Sequence, residues 1–326
     1  MKRTYSIVGL AALALIAAGT APVAAQEGHW SEGCYGALTP RDYCIRVVEA
    51  VEILQPRLGM AMTGGNPVQG TASTLGLRLG TLPRIGLGLR ATAVRTELPP
   101  IGEIGASQEL NFFLPAIAAD ASVGVFSGFS LAPTLGGVGA LDLLGSVALV
   151  PVPEREGFAD TSPASWSVGA RLGILNESFT VPGVSVSGSY RRMGDMAYGD
   201  ATFEDEDAYF ALTDASVLSL RAAVGKRLLM LGATAGVGWD RSSGSVDMRV
   251  SNGGAGSVLP AQRLQNEDLQ TDRLTYFGNL SMTFVILHLV AEAGWQEGGE
   301  SFAGALSPEL LEQGSLYGGL SIRLTL

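Results

Sequence analysis

Only two histidines, His29 and His288, occur in this 326-residue chain, so any chemistry that needs an imidazole base must be built on one of them. His288 has Glu292 four residues on, and a hairpin through this region would bring Ser281 and Asn279 opposite them. A base oriented by a carboxylate and set beside a hydroxyl is the constellation of nucleophilic hydrolysis. The surroundings argue otherwise. Leu287 and Leu289 flank the histidine, and no Gly-x-Ser-x-Gly or His-x-Ser arrangement accompanies it. A hydrogen-bonded pair in a folded interior is the better reading of His288 and Glu292, and no residue is assigned a catalytic role.

Two further groups of charged residues could do chemistry. Glu204-Asp205-Glu206-Asp207 is the densest run of carboxylates and offers the hard oxygen ligands that suit Ca²⁺. A cation there would bridge to lipopolysaccharide phosphates, although no ordered ligand-loop motif surrounds the run and a solvated loop tip is the simpler reading. The second group is seven arginines, Arg57, Arg78, Arg90, Arg171, Arg191, Arg221 and Arg323, all on the inward phase of the strands expected around them. They either pair internally with Asp120, Glu292 or a plug, or line a basic constriction that favours anionic solutes. No Gly-rich phosphate loop, Cys/His metal cluster or nucleotide motif is present, so no cofactor or metal is called for.

The chain starts with a positive segment, MKRTY, then an apolar stretch, SIVGLAALALIAAGTA, then the small residues Val23-Ala24-Ala25. That is the layout of a secretory signal peptide spanning 1–25, with the mature chain starting at Gln26. Cys34 and Cys44, the only cysteines, would then form a disulfide in an oxidising compartment. Loss of Lys2 and Arg3 takes the net charge from −10 to −12, which disfavours a nucleic-acid partner.

The elements that must position these residues are strands. Charged residues are only 16% of the chain and glycine occurs 44 times, which disfavours long helices. Apolar residues recur at alternate positions, as in Ile85, Leu87, Leu89, Ala91 and Ala93 against Gly86, Gly88, Arg90 and Thr92, or Trp166, Val168, Ala170 and Leu172 against Ser167, Gly169 and Arg171. Successive strand side chains point to opposite faces. The non-apolar face is Gly, Ser and Thr with lone arginines, and lacks the mixed Lys, Glu and Asp of a solvated surface. An apolar exterior in lipid around a lumen of small and polar side chains satisfies that pattern.

The predicted fold is therefore an all-β transmembrane antiparallel up-and-down barrel over 54–326. Twelve strands are expected, with 10–14 open, near 54–64, 72–81, 84–96, 110–125, 141–153, 165–175, 183–193, 208–224, 228–240, 273–284, 287–296 and 315–326. Short connectors (TLPR, NESFTVPG, GKR) alternate with long polar ones, matching periplasmic turns and outer loops. The outer loops 97–109, 154–163, 195–207, 240–272 and 297–312 take 21 of the 31 acidic residues. Residues 126–140 would make an unusually long turn that could hide a helix or two strands. The apolar run 274–295 reads as a hairpin turning at Val285-Ile286, with Trp295 in an outer aromatic girdle. Residues 26–53, with a short amphipathic helix in RDYCIRVVEAVEIL, would stand below the barrel or plug it.

The last residues, YGGLSIRLTL, place Leu320, Ile322, Leu324 and Leu326 on one face. This resembles the C-terminal assembly signal of bacterial outer-membrane barrels, with Leu326 where that class commonly ends in an aromatic residue. The resemblance implies the outer membrane as location, lipid and lipopolysaccharide as surroundings, and the barrel-assembly machinery as partner. Passive passage of small, anionic solutes is the function expected. An alternative comes from the N-terminal segment and Gly64-Gly65-Asn66-Pro67, which are similar to features of long-chain fatty-acid transporters of the FadL type and imply passage of hydrophobic compounds. A structural or adhesive barrel with acidic outer loops is the other alternative.

Overall fold

The computed structural model describes Cys34 and residues 41–78, 82–101, 107–132, 135–151, 158, 163–199, 208–250 and 262–326. Helix α1 spans Arg41–Thr63, and two-residue strands β1 (Leu77–Arg78) and β2 (Leu82–Pro83) pair with each other. There follow β3 (Ile85–Leu98), β4 (Leu110–Phe126), β5 (Leu141–Leu149), β6 (Ala164–Leu175), β7 (Gly183–Met193), β8 (Met196–Tyr198), β9 (Ala208–Leu228), β10 (Leu231–Val250), β11 (Gln262–Phe284) and β12 (Leu287–Gln296). Helix α2 (Pro308–Glu312) precedes β13 (Ser315–Thr325).

Ten of these strands close a ring, β3-β4-β5-β6-β7-β9-β10-β11-β12-β13, antiparallel throughout, with β13 pairing back to β3 from Tyr317↔Val94 to Thr325↔Gly86. β8 prolongs the line of β7 along β9. The ring thus has ten strands where twelve were expected. The expected strand at 54–64 is the second half of α1, and 72–81 contributes only the β1–β2 pair. Closure explains the second difference: once Leu320 pairs with Ala91, neither β13 nor β3 has a free edge to offer.

The exterior of the ring is apolar. Leu89, Ile117, Val147, Trp166, Leu220, Leu280 and Leu320 all point outward and exposed. Inward-facing residues of these strands include Arg90, Ser122, Ser219, Asn279 and Ser321, all buried. Toward one end Phe113, Trp166, Tyr190, Tyr276 and Trp295 form an outward aromatic girdle, with Tyr276 directly opposite Trp295. The Arg241 guanidinium stacks 5.1 Å over Trp239 there, and the outward pairs Arg95–Glu97, Arg192–Asp214 and Arg241–Asp272 follow beside it. Aromatic rings and then ion pairs mark the edge of a bilayer. Among the described residues no helix is long and apolar enough to cross a membrane; strands make the crossing. Leu280 is 68% exposed near the middle of the lipid-facing belt. Leu280→Arg is expected to cost about 2–4 kcal/mol, read as a lower urea midpoint for the folded barrel, whereas Ser281→Ala on the inner face should cost far less.

Beyond the girdle β9, β10 and β11 continue, and there the polarity inverts. The inner face becomes Phe210 and Leu212 on β9 and Val246, Met248 and Val250 on β10, while Thr213, Ser245 and Asp247 turn outward. A bulge marks the changeover, with Asp214 and Ala215 opposing Gly244 and Asp214 at φ 50°. Part of the expected loop 240–272 is therefore strand, running to Val250 and resuming at Gln262. The extension is a solvated collar with a dry core, joined to a membrane barrel with a polar one. Phe158, Tyr198 and Phe210 pack in that core, Tyr198 and Phe210 stacked at 5.2 Å.

At the opposite end the connections are short. β9 turns into β10 through Leu229-Met230, four residues later than the expected GKR turn, and β11 into β12 through Val285-Ile286. The run 274–295 is thus the two strands expected of it. Residues 126–140 form an irregular loop held by the bridges Phe129↔Val138 and Ala132↔Leu135, with no helix among its described residues.

Candidate functional site

The lumen is occupied by the chain's own N-terminal segment. α1 is buried on every side, from Tyr43, Ile45, Val47, Val48 and Val51 through Leu54 to Leu58, Met60 and Met62. A helix buried all round belongs inside a core, and its polar side chains must then find partners there. Its first half lies in the dry collar, where Tyr43 Oη donates to Ile101 O and Glu49 accepts from the N–H groups of Leu306 and Ser307. Cys34 and Cys44 are joined by a disulfide at this end. Replacing both cysteines with serine is expected to cost roughly 2–3 kcal/mol through the freed ten-residue loop, read as faster proteolysis ahead of Tyr43.

The second half of α1 descends into the polar barrel, and its polar side chains find partners on the wall. The Gln55 side chain donates to Leu269 O and accepts from Thr271 Oγ1, and Arg57 Nη1 donates to Glu97 O at 3.0 Å. Gly64 ends the helix at φ 67°, its N–H donating to Met60 O. This left-handed cap leaves the last carbonyls of the helix free. Two wall arginines take them. Arg90 on β3 donates to the carbonyls of Met62 and Thr63, and Arg221 on β9 donates to Gly64 O at 3.2 Å and Gly65 O at 3.0 Å. Cations at a helix C-terminus also oppose the negative end of its dipole. Glu292 on β12 takes the next two donors, Gly65 N at 2.8 Å and Asn66 N at 3.1 Å, and accepts from Asn279 Nδ2.

The clamp is itself held by wall carboxylates. Asp240 receives Arg221 Nη2 at 2.9 Å and the hydroxyls of Ser219 and Thr275, while Arg90 pairs with Asp120 at 3.3 Å. Lower down, the Asp142 carboxylate is gripped by Arg171 at 2.7 Å and accepts from Leu75 N and Gly76 N. Asn176 accepts from Thr74, and Ser281 Oγ donates to Gly70 O. From residue 62 to 76 the plug is therefore tied to the wall by many hydrogen bonds, several of them to charged groups, beside the buried side chains of Met62, Val68, Ala72 and Leu75.

The sequence-selected residues divide accordingly. Arg90, Arg171, Arg191, Arg221, Arg323, His288, Glu292 and Asp120 all line the interior. Arg191 is bonded to Ser165, Ser146 and Ser167. Arg57 is interior too, but on α1 rather than on a strand, and Arg78 is exposed on β1, outside the ring. Glu292 does not orient His288, whose ring nitrogens meet the Thr283 and Thr325 hydroxyls instead. Residues 204–207 lie outside the described residues. Alternation alone does not mark Asp142 and Asp240, one within an expected strand and the other at the start of the expected loop 240–272. An Asp set on the small-residue phase of a strand was the available signal.

An apolar exterior, an aromatic girdle and a closed ring of strands decide the class. The chain is built as an outer-membrane β-barrel. No family model matches the sequence, and no curated protein is similar to it. Solved structures similar to this barrel include the translocator domain of the autotransporter NalP from Neisseria meningitidis, at 12% identity over 74% of this chain and 87% of that one, TM-score 0.42. An outer-membrane channel from Pseudomonas putida is 10% identical over 79% and 99% of the two chains, TM-score 0.35. The toluene transporter TodX of Pseudomonas putida is 9% identical over 81% and 96%, TM-score 0.29. Similarity at these levels carries neither substrate nor mechanism over to this barrel.

Proposed function

We propose that this protein is an outer-membrane transport barrel, held closed by its own N-terminal segment, that passes small anionic solutes when residues 64–76 release from the wall. The observation that carries the reading is the contrast between the two parts of the plug. α1 is fixed by apolar burial, at roughly 1.5–3 kcal/mol for each large side chain, and stays as a central post. Residues 64–76 include four glycines, bury only Val68, Ala72 and Leu75 as apolar side chains, and are otherwise held by polar contacts that water can replace. They form the movable part. Arg90, Arg191, Arg221 and Arg323 would line the path that their release opens, and would favour anions. The test is single-channel recording of the intact protein beside Glu292→Ala. Openings in the variant support a releasable gate, and silence in both proteins sinks it. Binding of a fluorescent fatty acid to the lumen would instead favour a route for hydrophobic compounds.

One observation favours a second reading, a barrel that presents a segment outside the cell. α1 enters from the long-loop end, since Tyr43 meets Ile101, while Leu75 and Gly76 reach Asp142 near the short turns. In outer-membrane barrels the long loops face outward, so Arg41 and the Cys34–Cys44 disulfide lie at the cell-surface end of the lumen. An epitope tag inserted between Gln26 and Cys34 is expected to bind antibody on intact cells. Binding only after the outer membrane is permeabilised would remove this reading.

A further inference from the structure

Arg323 is the one sequence-selected lumen arginine that the wall does not pair. Its guanidinium sits on β13 near the short-turn end, 6% exposed, and Nε and Nη1 have no hydrogen-bond partner among the described residues. The hydroxyl of Ser321, two residues back on the same inner face, is also buried and unpartnered. The neighbouring acids are engaged elsewhere. Asp142 binds Arg171 and the plug backbone, and Asp120 binds Arg90. His288, opposite Arg323 across the β12–β13 ladder, is occupied by two threonine hydroxyls.

A cavity of about 20 Å³ opens beside these groups, lined by Arg323, Ser321, Ser122, Gly86, Gly88 and Gln69, with Asp120 at its edge. That is room for one water-sized occupant. A guanidinium stays protonated in a protein, and burying it without a counter-charge costs several kcal/mol. Water would supply an acceptor but no charge. Unused donors border this small space: Nε and Nη1, which lie on different edges of the guanidinium, and the Ser321 hydroxyl. Hydrogen bonds from an ionised donor to an anion are about twice as strong as neutral ones. The one adverse charge at the cavity, Asp120, is offset by Arg90 at 3.3 Å.

We propose that Arg323 and Ser321 form a binding site for one small monovalent anion of about the size of chloride, seated between the barrel wall and residues 67–69 of the plug. The site is a resident counter-ion position and stands whether or not solutes cross the barrel. It also gives the plug an ionic dependence, because Gln69 lines the same cavity.

The test uses the whole protein in detergent, crystallised with bromide in place of chloride. An anomalous peak within hydrogen-bonding reach of Arg323 Nη1 is the expected result, and a cavity holding only water overturns the proposal. In solution, the unfolding midpoint should be higher in chloride than in gluconate at equal ionic strength, since gluconate is too large for the cavity. Ser321→Ala should weaken the apparent chloride affinity, and Arg323→Gln should lower it by roughly tenfold or more, about 1.4 kcal/mol. A midpoint indifferent to the anion in the wild type, or an unchanged chloride dependence in Arg323→Gln, also overturns it. Should Arg323→Gln fail to assemble, the bromide experiment and Ser321→Ala decide the matter alone.

Discussion

Intact protein in a planar bilayer is expected to be nearly silent, and Glu292→Ala to open in discrete, anion-preferring steps. The wild type is closed twice over, by α1 in the collar and by residues 64–76 in the membrane-level lumen. Glu292 holds the second closure, because its two carboxylate oxygens accept from Gly65 N and Asn66 N. Truncation to alanine leaves two backbone donors unpaired, each at about 1–3 kcal/mol if they remain buried. The segment relieves that cost by moving toward water. Truncation also removes a carboxylate from the lumen, leaving Arg191 and Arg323, which no carboxylate pairs among the described residues, to bias the path toward anions. A current–voltage reversal in a salt gradient reads the selectivity. Cation preference, or no current from either protein, would refute the gate. Glu292→Gln is the companion variant: it keeps an acceptor for one donor and should open less often.

The second large effect is on seating. Gly64→Val is expected to destabilise the folded barrel by about 3–5 kcal/mol and to make residues 64–76 sensitive to protease. Two costs combine. A side chain at φ 67° costs about 1–2 kcal/mol in backbone strain. A Cβ there would also lie 2.0 Å from Arg90 Nη1, forcing that guanidinium off the carbonyls of Met62 and Thr63. Each hydrogen bond lost to a charged group adds roughly 1.5–3 kcal/mol, partly recovered by rearrangement. Gly139→Ala separates the two costs. Gly139 has φ 75° with nothing within 4 Å of its would-be Cβ, so only the backbone strain applies. Equal shifts in urea midpoint for the two variants would show that the Arg90 contact contributes nothing to seating.

Because the first half of α1 is packed in the collar, the part of the plug proposed to move is the part nearest the short turns. In the proposed orientation a gate on that side would respond to conditions in the periplasm, while the end joined by the disulfide stays packed in the collar.

What the sequence settled by itself was the class of the barrel and the direction of its faces. Leu87, Leu89 and Ala91 against Gly88 and Arg90, or Leu287, Leu289 and Ala291 against His288 and Glu292, admit one arrangement, because a side chain in a strand has two directions and an arginine cannot be given to lipid. The hairpin within 274–295 followed from the same rule. Tertiary structure decided three things that the rule does not reach. Leu54, Leu58, Met60 and Met62 alternate with Gln55, Arg57, Gly59 and Ala61 and read as a strand, yet form a helix. Inside a closed ring every face of α1 is buried, so no contrast between faces disciplines its pattern. The collar was missed because alternation looks the same whichever face meets water, and only the bulge at Asp214 and the girdle below it show where lipid ends. Last, partners such as Glu292 and Gly65 are separated by 227 residues. Strand phase pointed that carboxylate inward, but only ring closure around α1 brought it to the backbone it holds.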